Sequence, residues 1–409
     1  MRVRSAVSPL RRGAVAPVAF VRQALPTVDA LVADLRPEDP VHCIRPAVLA
    51  ATARDFVAAF PGDVLHAVKC NPDPAVLRAL WDGGVRHFDC ASPAEVALVR
   101  TMFADAHIHF MHPVKARGAI REAWGRHGVR DFVLDSHAEL AKILAETGDH
   151  AGIGLIVRLA LPKGEAVLDL SGKFGAEAEE AVALLREARP HAARLGVAFH
   201  VGSQCLDPLA WRRAMDVARG VIRSAGVAID IVDVGGGFPV AYPDVELPDF
   251  GAILAEIEDG FDRLGQPDAR LWAEPGRALV AAGGSVVVQV QARRGDALYI
   301  NDGVYGSLAD AGALAFRYPV RCLRPEGAAS DDVLRGFSFF GPTCDSADAM
   351  RGPFHLPADI GEGDWIEIFQ LGAYGACLRT GFNGFDRARI VEVTDSPQAA
   401  DEPDFAQAA

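Results

Sequence analysis

The chain has 409 residues, 50% of them hydrophobic and 8% aromatic, with a formal charge of −13, which is enough apolar material for a large core shared between two domains. No uninterrupted apolar run approaches the roughly 20 residues that cross a bilayer, and the acidic balance argues against a general nucleic-acid binder, which needs a basic surface. Seven cysteines without Cys-x-x-Cys spacing read as free thiols in a reducing cytoplasm, not as a zinc site or a disulfide framework.

Residues 1–28 carry five arginines and no acid, a faint likeness to a targeting segment. Pro9 and Pro17 interrupt it, so residues 1–45 read as an extension ending in a strand, "VHCIRP", able to join a distant sheet. From residue 46 to 280 one unit repeats: a short apolar run ending in polar or glycine residues, then an amphipathic segment. The eight runs are "VLHAVKC", "VRHFDCAS", "IHFMHP", "DFVLDS", "GLIVRLAL", "GVAFHVGS", "IDIVDVGGG" and "RLWAEPGR". Seven segments with apolar residues at three- and four-residue spacing separate them, "PAVLRALWDGG" and "HAELAKILAETG" among them. Alternation of this kind predicts a parallel α/β sheet, and eight strands predict a (β/α)8 TIM-like barrel; an open doubly wound sheet is the alternative. From 281 to 395 the short runs "SVVVQVQA", "ALYINDG", "FSFFGP", "DWIEIFQLG" and "ARIVEV" predict an all-β domain. The acidic tail, 396–409, reads as disordered.

Barrels of this kind carry their chemistry at the C-terminal strand ends, and the unusual residues lie there: Lys69, Asp89, His112, Asp135, Arg158, His200, Gly235 to Gly237, Glu274 and Arg277. His112 and Asp135 read as ordinary loop residues. Lys69 closes an apolar run and is expected to be buried, where an ammonium needs a partner or neutralisation. "DVGGGFP" offers backbone N–H groups to an anion, although alone it is equally a tight turn; it fits neither the dinucleotide fingerprint nor the Walker loop. "EPGRALV" adds Arg277, a fork-shaped phosphate donor, and Glu274. A phosphate site beside a lysine and a carboxylate is what pyridoxal 5'-phosphate (PLP) requires. His107, His109 and His112 cannot all converge from one strand, since His107 and His109 share a face that His112 does not, and no metal site is expected.

From about residue 40 to 386 the chain resembles the ornithine/lysine/diaminopimelate decarboxylases, PLP-dependent enzymes with an alanine-racemase-like barrel and a C-terminal β domain. The resemblance rests on "AVKCNPDP", "FDCAS", "SGKFG", "FHVGSQ", "DVGGGFP", "EPGRALV", "NDGVYGS", "GPTCDSAD", "GAYG" and "FNGF". It implies that Lys69 holds the cofactor as a Schiff base, that Asp89 supports it, that His200 stacks on the ring and that Glu274 meets the ring nitrogen. It implies phosphate contacts from Ser203, Gly235, Gly236, Gly237, Arg277 and Tyr374. It further implies a homodimer with shared sites, to which Cys344 and Asp345 come from the other subunit, the first to protonate the product and the second to meet the substrate's distal amine, with Lys173 and Asp348 bridging the interface.

Substrate choice is less defined by the resemblance. The family's second amine-binding acid falls where this chain has Ala313 or Leu314, a few positions after Asp310, which is the available second contact. Asp345 after the cysteine favours ornithine or lysine over diaminopimelate, where the family carries Glu. A shorter diamino acid such as 2,4-diaminobutyrate, or a pathway-specific amino acid, stays open. A non-catalytic homologue binding a protein would be expected to lose Lys69 or Cys344, and a racemase would need a second base in place of the Cys344 segment; both residues are present.

Overall fold

The computed structural model describes residues 27–148, 152–162, 172–243, 245–325 and 333–397. The Arg-rich segment up to residue 26, Ser171 of the "SGKFG" motif and the tail from residue 398 lie outside the described residues. After an N-terminal helix, Val28–Leu35, comes β1 (Val41–Ile44). Eight short parallel strands then close into a barrel in chain order: β2 (Asp63–Ala67), β3 (His87–Cys90), β4 (His107–Phe110), β5 (Asp131–Leu134), β6 (Gly154–Arg158), β7 (Arg194–Ala198), β8 (Ile231–Asp233) and β9 (Arg270–Ala273). The closed barrel removes the open-sheet alternative, because β9 returns to pair with β2.

Local signals start the helices close behind the strands. Asp73, Ser92 and Ser136 accept hydrogen bonds from the N–H groups of Ala75, Glu95 and Glu139 at 2.8, 3.3 and 3.3 Å, satisfying donors that a helix cannot pair internally. Pro74 and Pro93 take the first helical position, where a missing N–H removes no bond.

Alternation along each strand divides the apolar residues between two cores. Phe88, Phe110, Phe132 and Leu155 pack outward against the helices, whereas Leu65, Val133, Ile156, Ile231 and Trp272 fill the barrel's interior. His109 shares that interior, with Nδ1 3.1 Å from Asp131 and Nε2 3.0 Å from His87. His107 is exposed and stacks on His87 at 4.5 Å, while His112 turns away to Phe174.

The remaining strands, β10 (Gly284–Arg294), β11 (Ala297–Ile300), β12 (Val320–Leu323), β13 (Leu334–Phe340), β14 (Ala349–Pro357), β15 (Trp365–Ile368) and β16 (Arg389–Glu392), form with β1 an eight-stranded sheet. β1 pairs antiparallel with β10 and parallel with β16. Sequence patterning does not single out β12 and β14. "AMRGPFHLP" contains Gly352 and Pro353, weak strand formers, and becomes a strand by pairing with β13 across a register shift at Phe337/Phe339 that buries Met350, Phe354 and Leu356.

A buried ionic clasp joins the two ends of the described chain to this sheet. Arg45 and Glu367, 1% and 0% exposed, pair at 2.8 Å. Arg45 Nε also donates to Asp395 at 3.0 Å and Nη1 to Ser285 at 2.9 Å, and Asp395 accepts from the N–H of Val28 at 2.9 Å. Glu367 is shared by two guanidinia, Arg45 and Arg321, and removing it leaves buried Arg45 only the half-buried Asp395 as a counter-charge among the described residues. Glu367→Ala is therefore expected to lower unfolding stability by about 3–5 kcal/mol, read from the urea midpoint, and an unchanged midpoint would contradict this account of the clasp.

Candidate active site

The structure differs from the sequence expectation at Lys69, which is not buried. It lies on a one-turn 3-10 helix, Val68–Cys70, beyond the end of β2. Such a turn rotates successive side chains by about 120°, so Val68 and Cys70 enter the core at 0% exposure while the Lys69 side chain stays 49% exposed at the barrel mouth. Asp89, at the end of the adjacent β3, lies 3.5 Å from the ammonium. Its charge, seconded by Tyr374 and Glu274, holds the Lys69 pKa above the ordinary value and outweighs the opposing partial desolvation. Solvent screens this half-open pair, so its stability contribution is small.

The last two barrel strands place two further acids at the mouth. Asp233, fully buried at the end of β8, accepts a 2.8 Å hydrogen bond from the N–H of Gly235 through Oδ1, while Oδ2 has no partner among the described residues. Burial pushes its pKa up to about 7. Glu274, just past β9, is raised well above the carboxylate range by burial first and then by the charges of Asp233 and Asp89. Burial, followed by the cations of Arg158 and Lys69, holds the His200 imidazole down at about 3. Its Nδ1 accepts from the N–H of Gly202 at 3.0 Å, which assigns the neutral ring's proton to Nε2.

Backbone packing explains the three glycines. A Cβ on Gly235 would lie 2.2 Å from the carbonyl oxygen of Phe199, and one on Gly237 would lie 2.4 Å from that of Gly202. Both have positive φ, +68° and +101°, which glycine adopts without strain. The N–H groups of Gly236 and Gly237 have no partner among the described residues. Gln204 holds this loop against the His200 loop, donating to the carbonyl of Val240 at 2.9 Å and accepting from its N–H at 2.8 Å. Arg277, 6% exposed, has its guanidinium 5.0 Å from the Tyr374 ring and 5.2 Å from Phe316. Tyr374, at φ +57°, is tied to the Lys69 turn by a 3.0 Å bond from its N–H to the carbonyl of Cys70. Ser203 is half-buried on the His200 loop. The barrel mouth thus combines a lysine, backbone donors with no partner among the described residues, a guanidinium, and two carboxyls, Asp233 buried and Glu274 half-buried, a donor set that fits PLP.

Five positions depart from sequence expectation or clarify it. Asp310 does not face a free amine site; its Oδ2 accepts from Arg277 Nη2 at 2.8 Å, because the segment after "NDGVYGS" folds as a short helix, Ala309–Ala313, that presents it to the guanidinium. Asp348 is 3% exposed and engaged within its own chain, accepting from the N–H groups of Val304 and Thr343 at 2.8 and 3.1 Å. Lys173 lies over the ring of Phe174 at 5.1 Å. Cys344 is exposed in the turn after β13 and Asp345 accepts from Tyr305 OH; neither has a described contact with Lys69, His200 or Glu274. Sequence reasoning overlooked Asp233, although Ile231 and Asp233 share the inward parity of β8. It also overlooked Gln204, Tyr242 and Tyr305, whose partners are far away in sequence.

Residues 47–281 match the family described as pyridoxal-dependent decarboxylase, pyridoxal binding domain. The chain belongs to this family. It is 35% identical to an ornithine decarboxylase of Panagrellus redivivus over 81% of this chain and 80% of that one, and 34% identical to a lysine/ornithine decarboxylase of Selenomonas ruminantium over 82% and 85%. Among solved structures, a lysine/ornithine decarboxylase from Vibrio vulnificus complexed with putrescine superimposes with a TM-score of 0.76 at 31% identity, covering 89% of this chain and 96% of that one. The arginine decarboxylase of Paramecium bursaria Chlorella virus bound to agmatine gives 0.78 at 27%, covering 89% and 99%.

Two desolvated histidines of this decarboxylase, buried His66 and half-buried His200, make its stability pH-dependent. His66 and His200 are held down to about 3 by burial, against an ordinary value of 6.5. Below pH 6.5 the unfolded chain binds protons that the folded one refuses, so these groups lower stability as pH falls from about 6.5 toward 3. Asp233 acts oppositely, being protonated in the fold up to about 7. His66→Leu is expected to remove about 1.4 kcal/mol per pH unit from the slope between pH 6 and 5, measured by urea unfolding. An unchanged slope would show that His66 titrates normally.

Proposed function

We propose that this chain is a PLP-dependent decarboxylase of basic L-amino acids of the ornithine or lysine type, acting as a homodimer with shared sites. The observation that carries the reading is the juxtaposition, at one barrel mouth, of the Lys69–Asp89 pair at 3.5 Å with the Asp233/Glu274 carboxyls and the glycine loop. Relatives named ornithine and lysine/ornithine decarboxylase, and the putrescine complex of the Vibrio protein, support the substrate class. Seven free thiols suit a reducing compartment such as the cytoplasm.

Bound PLP supplies an electron sink for the pair left on Cα when the carboxylate departs as CO2. Lys69 Nζ must lose a proton before it can act as a nucleophile, and Asp89 Oδ2 is the acceptor beside it. Glu274, raised by desolvation and the neighbouring charges of Asp233 and Asp89, would hold the proton shared with the cofactor's ring nitrogen and serve as its counter-charge. The neutral His200 imidazole would offer a flat face to the cofactor's ring without adding a cation. Gly236 and Gly237 N–H, Ser203, Arg277 and Tyr374 are assigned to phosphate. Asp345, oriented by Tyr305, is the carboxylate for the distal ammonium, and Cys344 delivers the proton to Cα. The absence of any described contact between Cys344 and the barrel mouth of its own chain supports their coming from the partner subunit.

The purified protein is expected to release CO2 from L-ornithine or L-lysine, and borohydride reduction of the cofactor-loaded protein is expected to fix the label on Lys69. Turnover of neither amino acid, nor of 2,4-diaminobutyrate or arginine, would refute the substrate class, and a label on another lysine would refute the role of Lys69. Mixing inactive Lys69→Ala and Cys344→Ala chains under exchange conditions is expected to restore activity, up to about a quarter of wild type for random pairing of chains with one intact site per hybrid. No recovery would mean that each chain completes its own site.

A further inference from the structure

The acid that the sequence offers as a second amine ligand is bound to the phosphate anchor instead. Arg277 is 6% exposed, donates from Nη1 to Tyr242 OH at 2.8 Å and from Nη2 to Asp310 Oδ2 at 2.8 Å, and has no partner for Nε among the described residues. The Asp310 side chain is itself only 14% exposed. Phe316, Tyr374 and Tyr242 surround the guanidinium with rings at 5.2, 5.0 and 6.0 Å. A buried guanidinium enclosed by aromatic rings needs an anion, and Asp310 is the carboxylate paired with it among the described residues.

We propose that Asp310 is a resident counter-anion of Arg277, a positioning residue that competes with the cofactor's phosphate for the guanidinium and so sets how tightly PLP is held, without contacting the substrate. A phosphate monoester and a carboxylate are both hard oxygen anions that prefer the same fork of N–H donors. A phosphate arriving at Arg277 either shares a guanidinium already neutralised by Asp310 or displaces the carboxylate from Nη2. In both cases it gains less than it would from an unpaired cation, and it meets a like charge beside it. Asp310 thereby stabilises the protein before the cofactor binds and lowers the free energy released when it does, since a ligand stabilises only by what it adds to the folded state. The same engagement removes Asp310 from the substrate's distal end and leaves Asp345 as the acid assigned there.

This inference rests on the reading of the barrel mouth as a PLP site, and the two fail differently. Cofactor is removed from wild type and from Asp310→Asn, PLP is titrated back by its absorbance, and melting temperatures are taken with and without PLP. Asp310→Asn is expected to bind PLP about fivefold more tightly or better, the order that one unit charge a few ångström away produces in a water-like dielectric. It should also melt lower without cofactor, show a wider melting gap between the two forms, and keep the wild-type KM for the amino acid. Unchanged or weaker PLP binding overturns the proposal, as does a raised KM with unchanged PLP affinity, which would make Asp310 a substrate ligand. If Asp310→Asn does not fold without cofactor, Arg277→Gln is compared with the double variant Arg277→Gln/Asp310→Asn, which has no charge left unpaired. A double variant that melts above Arg277→Gln upholds the pairing, and one that melts no higher overturns it. Wild type that takes up no PLP at all would refute the functional reading instead.

Discussion

Closure of the barrel between its first and last strands is the constraint on which the site depends. Val64 of β2 lies in register with Ala273 of β9, and the N–H of Ala67 continues the seam to the carbonyl of Pro275 at 3.2 Å. This seam places Lys69 beside the segment that carries Glu274 and Arg277, more than two hundred residues later. On the other side, Ala67 of β2 pairs in register with Asp89 of β3. The Lys69 turn therefore has an acid on each flank because of backbone hydrogen bonding, before any side chain selects another. The parallel register of the barrel strands also fixes which residues point inward, so the polar mouth and the apolar plug beneath it have one common cause.

The charges at this mouth are kept in different protonation states by different surroundings. Lys69 is half open to solvent and faces Asp89, so its cation is favoured. Asp233 is sealed from water and next to another acid, so its neutral form is favoured. Two carboxyls raised together and one ammonium raised beside them give the site both a proton to lend and a carboxylate to receive one. His200 needs only to be uncharged, and desolvation together with the charges of Arg158 and Lys69 keeps it so. These states follow from position in the barrel, since the same residue types on an exposed loop would all titrate near their ordinary values.

The β domain does more than cover the barrel. The carbonyl of Cys70 accepts from Tyr374 and the side chain of Asn71 donates to the carbonyl of Gly372 at 2.7 Å, so the lysine turn is held from the second sheet. Gly372 is required at that contact, since a Cβ there would lie 1.7 Å from the carbonyl oxygen of Val280. Tyr305 and Asp302 come from one motif and serve two purposes: Tyr305 orients Asp345, while Asp302 and Ser307 hold Arg379. Displacing one of these loops disturbs the carboxylate it presents without touching the barrel.

Periodicity by itself determined the eight barrel strands and the seven helices between them, because each apolar run and each three- and four-residue repeat is local and survives in the linear chain. The glycine loop and the strand-end residues Lys69, Asp89, His200, Glu274 and Arg277 were legible for the same reason, since their types stand out against the apolar runs they follow. Tertiary structure decided the rest. Whether Lys69 is buried depended on a 3-10 turn after the strand, β14 on its pairing with β13, and the role of Asp233 on the parity of a three-residue strand. Asp310 looked like a ligand for an amine because sequence shows a carboxylate's charge but not its partner. Only the fold brings Arg277, 33 residues earlier in the chain, within 2.8 Å of it, and a charge already paired is no longer free to bind another.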